Sequence, residues 1–427
     1  MVRLKEQKSQ TEDRAIEIMP LVSRVYIPLI QHLGKACVSE VKIGDTVLVA
    51  QKLASVDAHV YAPIHASVSG NVYGIGDWPH PVLGRSKAII IDSDAKCGLF
   101  DKTLVKRTKE EIGKLDPGQI RNIIFESGIV GMGGAGFPTH IKLNPSKPVE
   151  NLIINGAECE PFLTADYRLM VEKTDQILSG IDLVTKCLGV EKVYIAIEDN
   201  KPQAIEAFER RLKNKDYELR ILKSDYPQGG EKQLIKSILN KEVPSGKLPF
   251  DVGVMVQNVA TVFAIYEAVY LNKPLYERVV TVTGSCLANP RNLLVRIGTP
   301  IKEIIAYCAP LKDQPYKILV GGPMMGISQY TDEVPVIKTT TGVILMNKEE
   351  AQERQEIACI RCGACLRDCP AGLMPCMINL ASVKELWLEA QAYGAIDCIE
   401  CGCCNYVCPA NRNLVQSIKR AKLEIAK

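Results

Sequence analysis

The sequence has few aromatic residues and almost no net charge. Phe, Trp and Tyr make up 6% of its 427 residues, and 52 Lys and Arg stand against 49 Asp and Glu, a formal charge of +3. Proteins that bind nucleic acid hold the phosphates with clustered cations, and those that bind single strands also stack bases on aromatic rings. This composition favours neither mode, so we expect no nucleic acid as a partner.

A membrane-spanning run and a secretory leader are also missing. The longest apolar stretch, residues 252–271, is interrupted by polar side chains that include Asn258 and Glu267. A spanning helix needs about 20 predominantly apolar residues, so the stretch instead predicts a strand followed by a buried helix. The N-terminal residues MVRLKEQKSQ are polar and lack the apolar core of a signal peptide. We expect a chain with no transmembrane segment of its own, in a reducing compartment.

Cysteine, in contrast, is abundant and unevenly distributed. The chain contains 16 cysteines, and most of them lie between positions 359 and 408. Disulfide-rich proteins are small and secreted, whereas a dense cysteine cluster in a reducing compartment indicates metal binding. The C-terminal region is therefore predicted to bind metal.

Two strings in this region share one spacing, Cys-x2-Cys-x2-Cys-x3-Cys-Pro. This is the spacing of bacterial ferredoxins with two 4Fe–4S clusters, in which the fourth cysteine of each string binds the other cluster. Structural zinc, the alternative, needs neither the third cysteine nor the Cys-Pro step. We assign one cluster to Cys359, Cys362, Cys365 and Cys408, and the other to Cys398, Cys401, Cys404 and Cys369. Cys376 and Cys403 are predicted not to be ligands, and Cys403 is expected to point away from its loop.

The length and the pattern of elements predict a multidomain α/β chain. At roughly 150 residues per domain, the length allows about three domains. Residues 1–112 are rich in short β-branched runs and turns, with a hairpin predicted at Gly44-Asp45. They resemble the flattened β barrel-sandwich of lipoyl and biotinyl carriers. The lysine that bears the prosthetic group in those carriers is missing from residues 55–59, so we expect a structural or docking module.

The rest of the chain predicts three further domains. Residues 113–273 alternate strands with helices, which is typical of a layered α/β domain with a parallel sheet. Residues 274–348 predict a small β-grasp module, and residues 349–427 form the ferredoxin-type domain. Helices are predicted, among other places, at residues 167–188, 349–356 and 383–393.

A glycine-rich loop, IVGMGGAGFPT at residues 129–139, matches the dinucleotide-binding fingerprint literally. Pro138 argues against the helix that the Rossmann form of this motif requires. The glycines nevertheless allow close approach to backbone N–H groups, which can bind a phosphate. Such a loop can also be a plain turn.

Three further polar segments accompany this loop. NGAECEP at residues 155–161 and QNVAT at residues 257–261 follow predicted strands, and YPQGGEK at residues 226–232 opens a predicted helix. Parallel α/β sheets bind ligands at the carboxyl ends of their strands. We therefore expect all four segments to form one site.

These four segments resemble the flavin- and NADH-binding core of the respiratory complex I subunit that accepts hydride. The order of modules, a barrel-sandwich, this core, a β-grasp (SLBB-like) module and a two-cluster ferredoxin domain, is similar to that of the RnfC family of Rnf electron-transport complexes. The resemblance covers nearly the whole chain. The complex I subunit has one cluster and this chain has two cysteine strings, which favours the RnfC family.

The resemblance implies sites for FMN and NAD(H). The loop glycines would hold the FMN phosphate or stack against the nicotinamide nucleotide, Lys142 would meet a phosphate, and the other residues would hydrogen-bond the flavin or line its face. Glu158 and Glu231 are the candidate catalytic residues. The implied cofactor-binding residues are Gly131, Gly133, Gly134, Gly136, Lys142, Asn155, Glu158, Gly229, Gly230, Glu231, Asn258 and Thr261. Cys159 lies inside one of these segments and is predicted to be a packing residue.

The resemblance further implies the NAD-facing subunit of a membrane-associated ferredoxin:NAD oxidoreductase, peripheral on the cytoplasmic face of the inner or plasma membrane. The whole complex would couple electron transfer to Na+ or H+ translocation. Its partners would be other Rnf subunits, including an iron–sulfur subunit that accepts electrons from ferredoxin. Two alternatives stay open, a cobalamin reductase with the same cofactors and a flavin-free iron–sulfur wire or scaffold.

Overall fold

The computed structural model describes residues 1–101, 103–213, 215–351 and 355–427. The strands are β1 (Ile16–Ile18), β2 (Arg24–Pro28), β3 (Val38–Ser39), β4 (Thr46–Val47), β5 (Lys52–Ser55), β6 (Ile64–His65), β7 (Gly70–His80), β8 (Gly84–Ser93), β9 (Asn151–Gly156), β10 (Lys192–Glu198), β11 (Tyr217–Leu222), β12 (Val254–Asn258), β13 (Glu277–Thr283), β14 (Arg291–Arg296), β15 (Lys317–Val320), β16 (Ile327–Ser328) and β17 (Gly342–Met346).

The α-helices are α1 (Lys109–Lys114), α2 (Pro117–Glu126), α3 (Thr139–Lys142), α4 (Ala165–Glu172), α5 (Thr174–Leu188), α6 (Pro202–Leu212), α7 (Glu231–Leu239), α8 (Val259–Leu271), α9 (Ile301–Tyr307), α10 (Ala364–Arg367), α11 (Pro375–Val383), α12 (Trp387–Ala392), α13 (Cys403–Tyr406) and α14 (Leu414–Ile425). Short 3-10 helices span Pro249–Val252 and Ala395–Asp397.

The N-terminal module consists of two antiparallel sheets, β2-β8-β7-β4 and β3-β5-β6. They enclose one apolar core in which Ile27, Leu53 and Ile89 are fully buried. The predicted hairpin at Gly44-Asp45 is wrong, because β3 pairs with β5 whereas β4 pairs with β7. The turn itself forms and joins the two sheets, as a barrel-sandwich requires.

The glycine-rich core domain has a parallel sheet in the order β11-β10-β9-β12, with helices on both faces. The central strand β9 has an apolar middle, in which Leu152, Ile153 and Ile154 are each fully buried. Each such side chain contributes about 1.5–3 kcal/mol relative to exposure. The predicted layered α/β architecture is confirmed. The helix predicted at residues 167–188 is divided into α4 and α5 at Lys173, which leaves the helical region.

The third module is a six-stranded mixed sheet in the order β1-β14-β13-β17-β15-β16. Its core includes Val280, Val295 and Val343, all fully buried. Strand β1 comes from the N-terminal end of the chain and pairs in parallel with β14. The residues before the barrel-sandwich therefore pack against the other modules.

The cysteine-rich region is helical. Helices α11, α12 and α14 share a small core that contains Ile378, Ala390 and Ile418. The helix predicted at residues 383–393 is present as α12 but is shorter than predicted. Helix α11 ends at Val383 and α12 begins only at Trp387, after Glu385 adopts a left-handed φ of 58°. The helix predicted at residues 349–356 includes 352–354, which lie outside the described residues.

A buried lysine connects three modules. Lys338, just before β17, donates from Nζ to the carbonyls of Pro63 and Gly128, both at 2.7 Å. Burial lowers the pKa of Lys338 to about 7. Over the described parts of the chain, none of the helices combines the length and apolar character needed to cross a bilayer.

Candidate functional site

The glycine-rich loop is closed at its base by backbone hydrogen bonds. Gly131 donates to the carbonyl of Phe137 at 2.9 Å, and Thr139 donates to the carbonyl of Ile129 at 3.1 Å. A single-turn helix, α3, follows Pro138 directly. Pro138 thus excludes a Rossmann-type helix starting within the loop, but it permits this short turn because proline is tolerated at helix starts.

Two side chains hold the loop in place, Asn258 at the end of β12 and Thr261 in the first turn of α8. The hydroxyl of Thr261 is fully buried and accepts from the backbone N–H of Met132 at 2.9 Å. Asn258 packs against Gly133 so closely that a Cβ at Gly133 would lie 2.7 Å from Asn258 Nδ2. Asn258 Oδ1 also caps helix α8 by accepting from the N–H groups of Ala260 and Thr261.

The other two segments meet the same edge of the sheet. Asn155, at the end of β9, lies opposite Asn258 in the parallel register. Its Nδ2 donates to the carbonyl of Gly229 at 2.9 Å. Lys142 of α3 forms an ion pair with Glu231, the first residue of α7, at 2.7 Å. The structure thus brings all four predicted segments together at the carboxyl ends of β9 and β12.

Glu158 has a more structural position than its predicted catalytic role suggests. Its carboxylate accepts from the N–H groups of Asp166 and Tyr167 at 2.8 and 3.0 Å, at the start of α4. Asp166 accepts in turn from Asn258 Nδ2 at 2.6 Å. Burial and the Glu158 charge raise the pKa of Asp166 to about 7. Asp166 was not among the predicted site residues, because it lies outside the four segments.

The free groups of this edge fit a phosphate-bearing flavin. Gly133, Gly134 and Ala135 are exposed, and their N–H groups donate no hydrogen bond within the described residues. A Cβ at Gly134 would meet nothing within 4 Å, so the space over the loop is open. Exposed N–H donors on successive loop residues are suited to an anion. Burial raises the pKa of the Cys159 thiol to about 12, so this thiol stays protonated and is a poor nucleophile.

The second cysteine string lines a small cavity. Cys398, Cys401 and Cys404 line it together with Cys369, the last cysteine of the first string. Two of these sulfurs accept backbone N–H groups, Cys369 from Leu373 and Cys398 from Glu400, each at 3.4 Å. Thiols around one cavity, with N–H groups directed at the sulfur, fit an iron–sulfur cluster.

Cys403 also borders this cavity. Its thiol, however, donates to the carbonyl of Tyr226, with 4.0 Å between Sγ and the oxygen. The thiol therefore faces the α/β domain. The site assignments of the eight predicted ligands stay predictions.

The first string is more open to solvent. Cys359 and Cys362 are exposed, whereas Cys365 is buried. Burial and the adjacent Cys376 thiol raise the pKa of Cys365 to about 11, and Cys408 lies near enough to contribute. The structure thus places Cys365 and Cys408 together, and it also brings Cys376 to the same place.

The backbone of the two strings repeats. Left-handed conformations occur at matching positions, at Gly363 and Gly402 before the third cysteines and at Arg361 and Glu400 two residues earlier. Each glycine is followed by a one-turn helix, α10 or α13. The two loops therefore present their cysteines in the same local geometry.

The glycine-rich site and the cysteine cavity are in direct contact. The hydroxyl of Tyr226 donates to the carbonyl of Cys401 at 2.8 Å. Gln233 of α7 donates to the carbonyl of Pro370 at 3.5 Å. A Cβ at Gly402 would lie 2.7 Å from the carbonyl of Met324. The segment that contains Gly229 and Glu231 therefore lies between the two sites.

The fold and the site define a chain built around an FMN-binding core. Three family models match, the RnfC barrel sandwich hybrid domain at residues 2–96, the Nuo51 FMN-binding domain at residues 124–267 and the SLBB domain at residues 279–328. The predicted multidomain α/β fold with its barrel-sandwich and SLBB-like modules is confirmed.

Curated relatives identify the family. The chain is 46% identical to the C component of the proton-translocating ferredoxin:NAD(+) oxidoreductase complex of Clostridium ljungdahlii, over 98% of this chain and 92% of that protein. It is 43% identical to the Na(+)-translocating counterpart of Acetobacterium woodii, over 94% of this chain and 90% of that protein. The chain belongs to the RnfC family, as its sequence motifs indicated.

A solved structure shares the fold at lower identity. An NAD+-reducing NiFe hydrogenase in the H2-reduced state superposes with a TM-score of 0.53 and 20% identity. The match covers 75% of this chain and 65% of that chain. The likeness concerns the fold alone.

Proposed function

We propose that this chain is the NAD-facing subunit of a ferredoxin:NAD+ oxidoreductase complex that translocates Na+ or H+. It passes electrons between NAD(H), FMN and two 4Fe–4S clusters. The most direct support is that the glycine-rich site and the cysteine cavity are in contact. Tyr226, in one of the four segments of the glycine-rich site, donates a hydrogen bond to the carbonyl of Cys401. Flavin accepts two electrons together and releases them singly, which is the chemistry needed between nicotinamide and iron–sulfur clusters.

The residues of the glycine-rich site have distinct proposed roles. The N–H groups of Gly133 and Gly134 and the ammonium of Lys142 would bind the FMN phosphate. Asn155 and Asn258, at the carboxyl ends of adjacent strands, would orient the flavin, and Gly229 would line its face. Glu231 forms an ion pair with Lys142. The Lys142 ammonium would therefore contact both the Glu231 carboxylate and the phosphate.

The placement of the cysteines supports clusters over zinc. A single zinc draws four sulfurs to about 2.3 Å from one point, whereas a cubane binds each sulfur at a different corner. Cys369, Cys398, Cys401 and Cys404 are spread around a cavity. Among the residues that the structure describes, no three His, Cys, Asp or Glu side chains lie close enough together to share one metal ion.

The exposed end of the ferredoxin-type domain suits contact with a redox partner. Cys359 and Cys362 are exposed, so a cluster bound there lies near the surface. The cavity lined by Cys398 lies instead beside the α/β domain. We propose that the first string faces another member of the complex, on the cytoplasmic face of the membrane.

The proposed function is tested by measuring the iron, the FMN and the reduction by NADH of the anaerobically purified chain. We expect about eight irons and about one FMN per chain, with NADH bleaching both chromophores. Zinc in place of iron would exclude the clusters. Iron without FMN would favour the flavin-free scaffold. Both chromophores staying oxidised in NADH would exclude the NAD-linked activity.

A further inference from the structure

A lysine from the N-terminal end of the chain is buried beneath the segment that contains Glu158. Lys8 is 3% exposed. Its Nζ donates to the carbonyls of Glu158, Glu160 and Leu163 at 2.8, 2.8 and 2.6 Å. Three acceptors use all three donors of an ammonium group, whereas a neutral amine offers only two. The geometry therefore requires the charged form, although burial lowers the pKa of Lys8.

The loop that Lys8 binds has no regular structure of its own, yet it supports two other parts of the molecule. The Glu158 carboxylate binds the first turn of α4. The Glu160 carboxylate accepts from the N–H groups of Met324 and Met325 at 3.1 and 2.9 Å. The Met324 loop in turn contacts Gly402 of the second cysteine string. Lys8 thus holds the backbone of a loop whose Glu158 side chain binds α4. The Glu160 side chain of the same loop binds the Met324 loop, which contacts the second cysteine string.

The same loop borders the proposed flavin site. A Cβ at Gly229 would lie 3.3 Å from the Sγ of Cys159. In the chain, Cys159 lies between Glu158 and Glu160, whose carbonyls accept from Lys8. Cys159 thus connects the carbonyls that Lys8 holds to the Gly229 backbone, which places the Lys8 charge one residue away from this part of the site. A positive charge near the ring of a flavin stabilises its reduced, anionic form.

We propose that Lys8 is a positioning residue of the flavin site, which fixes the loop around Glu158 and raises the reduction potential of the flavin bound beside it. The inference rests on the proposed function. Nothing in the local sequence around Lys8 marks this role, because its partners lie about 150 residues away.

The test compares Lys8→Met with Lys5→Met in the full-length chain. Lys5 is an exposed lysine of the same N-terminal segment, so its substitution removes the same charge without touching the loop. FMN affinity is measured by fluorescence titration of apoprotein, and the flavin midpoint potential by spectroelectrochemistry. We expect K8M to bind oxidised FMN about tenfold more weakly. Its affinity for reduced relative to oxidised flavin should fall about tenfold, a shift of about 30 mV to more negative potential.

The variant Lys8→Arg keeps the charge and should hold the potential at the wild-type value. It also tests the proposal if K8M does not fold, because a K8R potential about 30 mV more negative than that of the wild type would overturn a role for the charge. K8M values equal to those of K5M would overturn the proposal while leaving the proposed function intact. Failure of the wild-type chain to bind FMN would overturn both.

Discussion

Two neighbouring glycines of the loop occupy different surroundings. Gly133 packs on the side chain of Asn258, where a Cβ would approach Nδ2 to 2.7 Å, whereas a Cβ at Gly134 would meet nothing within 4 Å. Neither glycine has a left-handed φ, so an alanine tests only the contact. Asn258 cannot move freely, because it also caps α8 and binds Asp166.

We therefore expect Gly133→Ala to loosen the start of α8. The expected destabilisation is about 1–3 kcal/mol, against less than about 0.5 kcal/mol for Gly134→Ala. Hydrogen exchange of residues 258–262 in the flavin-free chain measures the difference. Equal protection in the two variants would show that the Asn258 contact is unimportant.

Asp166 gives the α/β domain a pH dependence. Its pKa rises from an ordinary 3.8 to about 7, because of burial and the Glu158 charge. The folded state therefore binds more protons than the unfolded state between these values, and stability falls as the pH rises through about 7. Asp166→Asn removes the ionisation and keeps an oxygen for Asn258.

We expect Asp166→Asn to gain stability relative to the wild type on going from about pH 5 to pH 8, by on the order of 1–2 kcal/mol. The measurement is the thermal midpoint of both proteins across this range. A constant difference between them would contradict the raised pKa.

At the scale of elements, helix α4 begins with no capping side chain of its own. Thr164, at its N-cap, makes no side-chain cap bond. The Glu158 carboxylate supplies both acceptors from outside the helix, and a negative charge at this end also interacts favourably with the helix dipole. A residue expected to be catalytic is thus part of the local architecture.

Glu158→Ala should therefore destabilise α4 by about 1–2 kcal/mol even without cofactor. Hydrogen exchange of the α4 amides checks this, and Glu158→Gln, which keeps one acceptor, should lose less. If E158A left α4 as protected as in the wild type, the side chain would be free for a purely catalytic role.

At the scale of the whole molecule, the cavity of the second cysteine string depends on both strings. Cys369 belongs to the first string by sequence but lines the cavity with Cys398, Cys401 and Cys404. Cys403 borders the same cavity and directs its thiol to Tyr226. Cys369 and Cys403 are thus a predicted ligand and a predicted non-ligand at the same cavity.

Cys369→Ala should lower the iron content from about eight to about four per chain. Cys403→Ala should keep about eight. Iron analysis and electron paramagnetic resonance of the reduced chain measure both. Loss of iron in C403A together with full iron in C369A would exchange the two assignments.

Much of this organisation follows from the sequence alone. The spacing of the cysteines limits which thiols can reach one cluster, because a short loop spans only a short distance. The apolar run before Asn155 predicts a buried parallel strand, and the polar residues after it fall at the edge where such sheets bind ligands. The RnfC resemblance follows from the same segments.

The tertiary structure alone decided which residues support that edge. Lys8 beneath Glu158 and Lys338 between Pro63 and Gly128 leave no local pattern, because backbone carbonyls, which any residue type can provide, hold their charges. Asp166 leaves none either, because its partner Asn258 lies 92 residues away in the chain. The turn at Gly44-Asp45 is local, but the sheets that its flanking strands join depend on distant pairing. The spacing of residues within a short segment determines which group that segment can bind. The packing of distant segments determines which charged side chains contact one another.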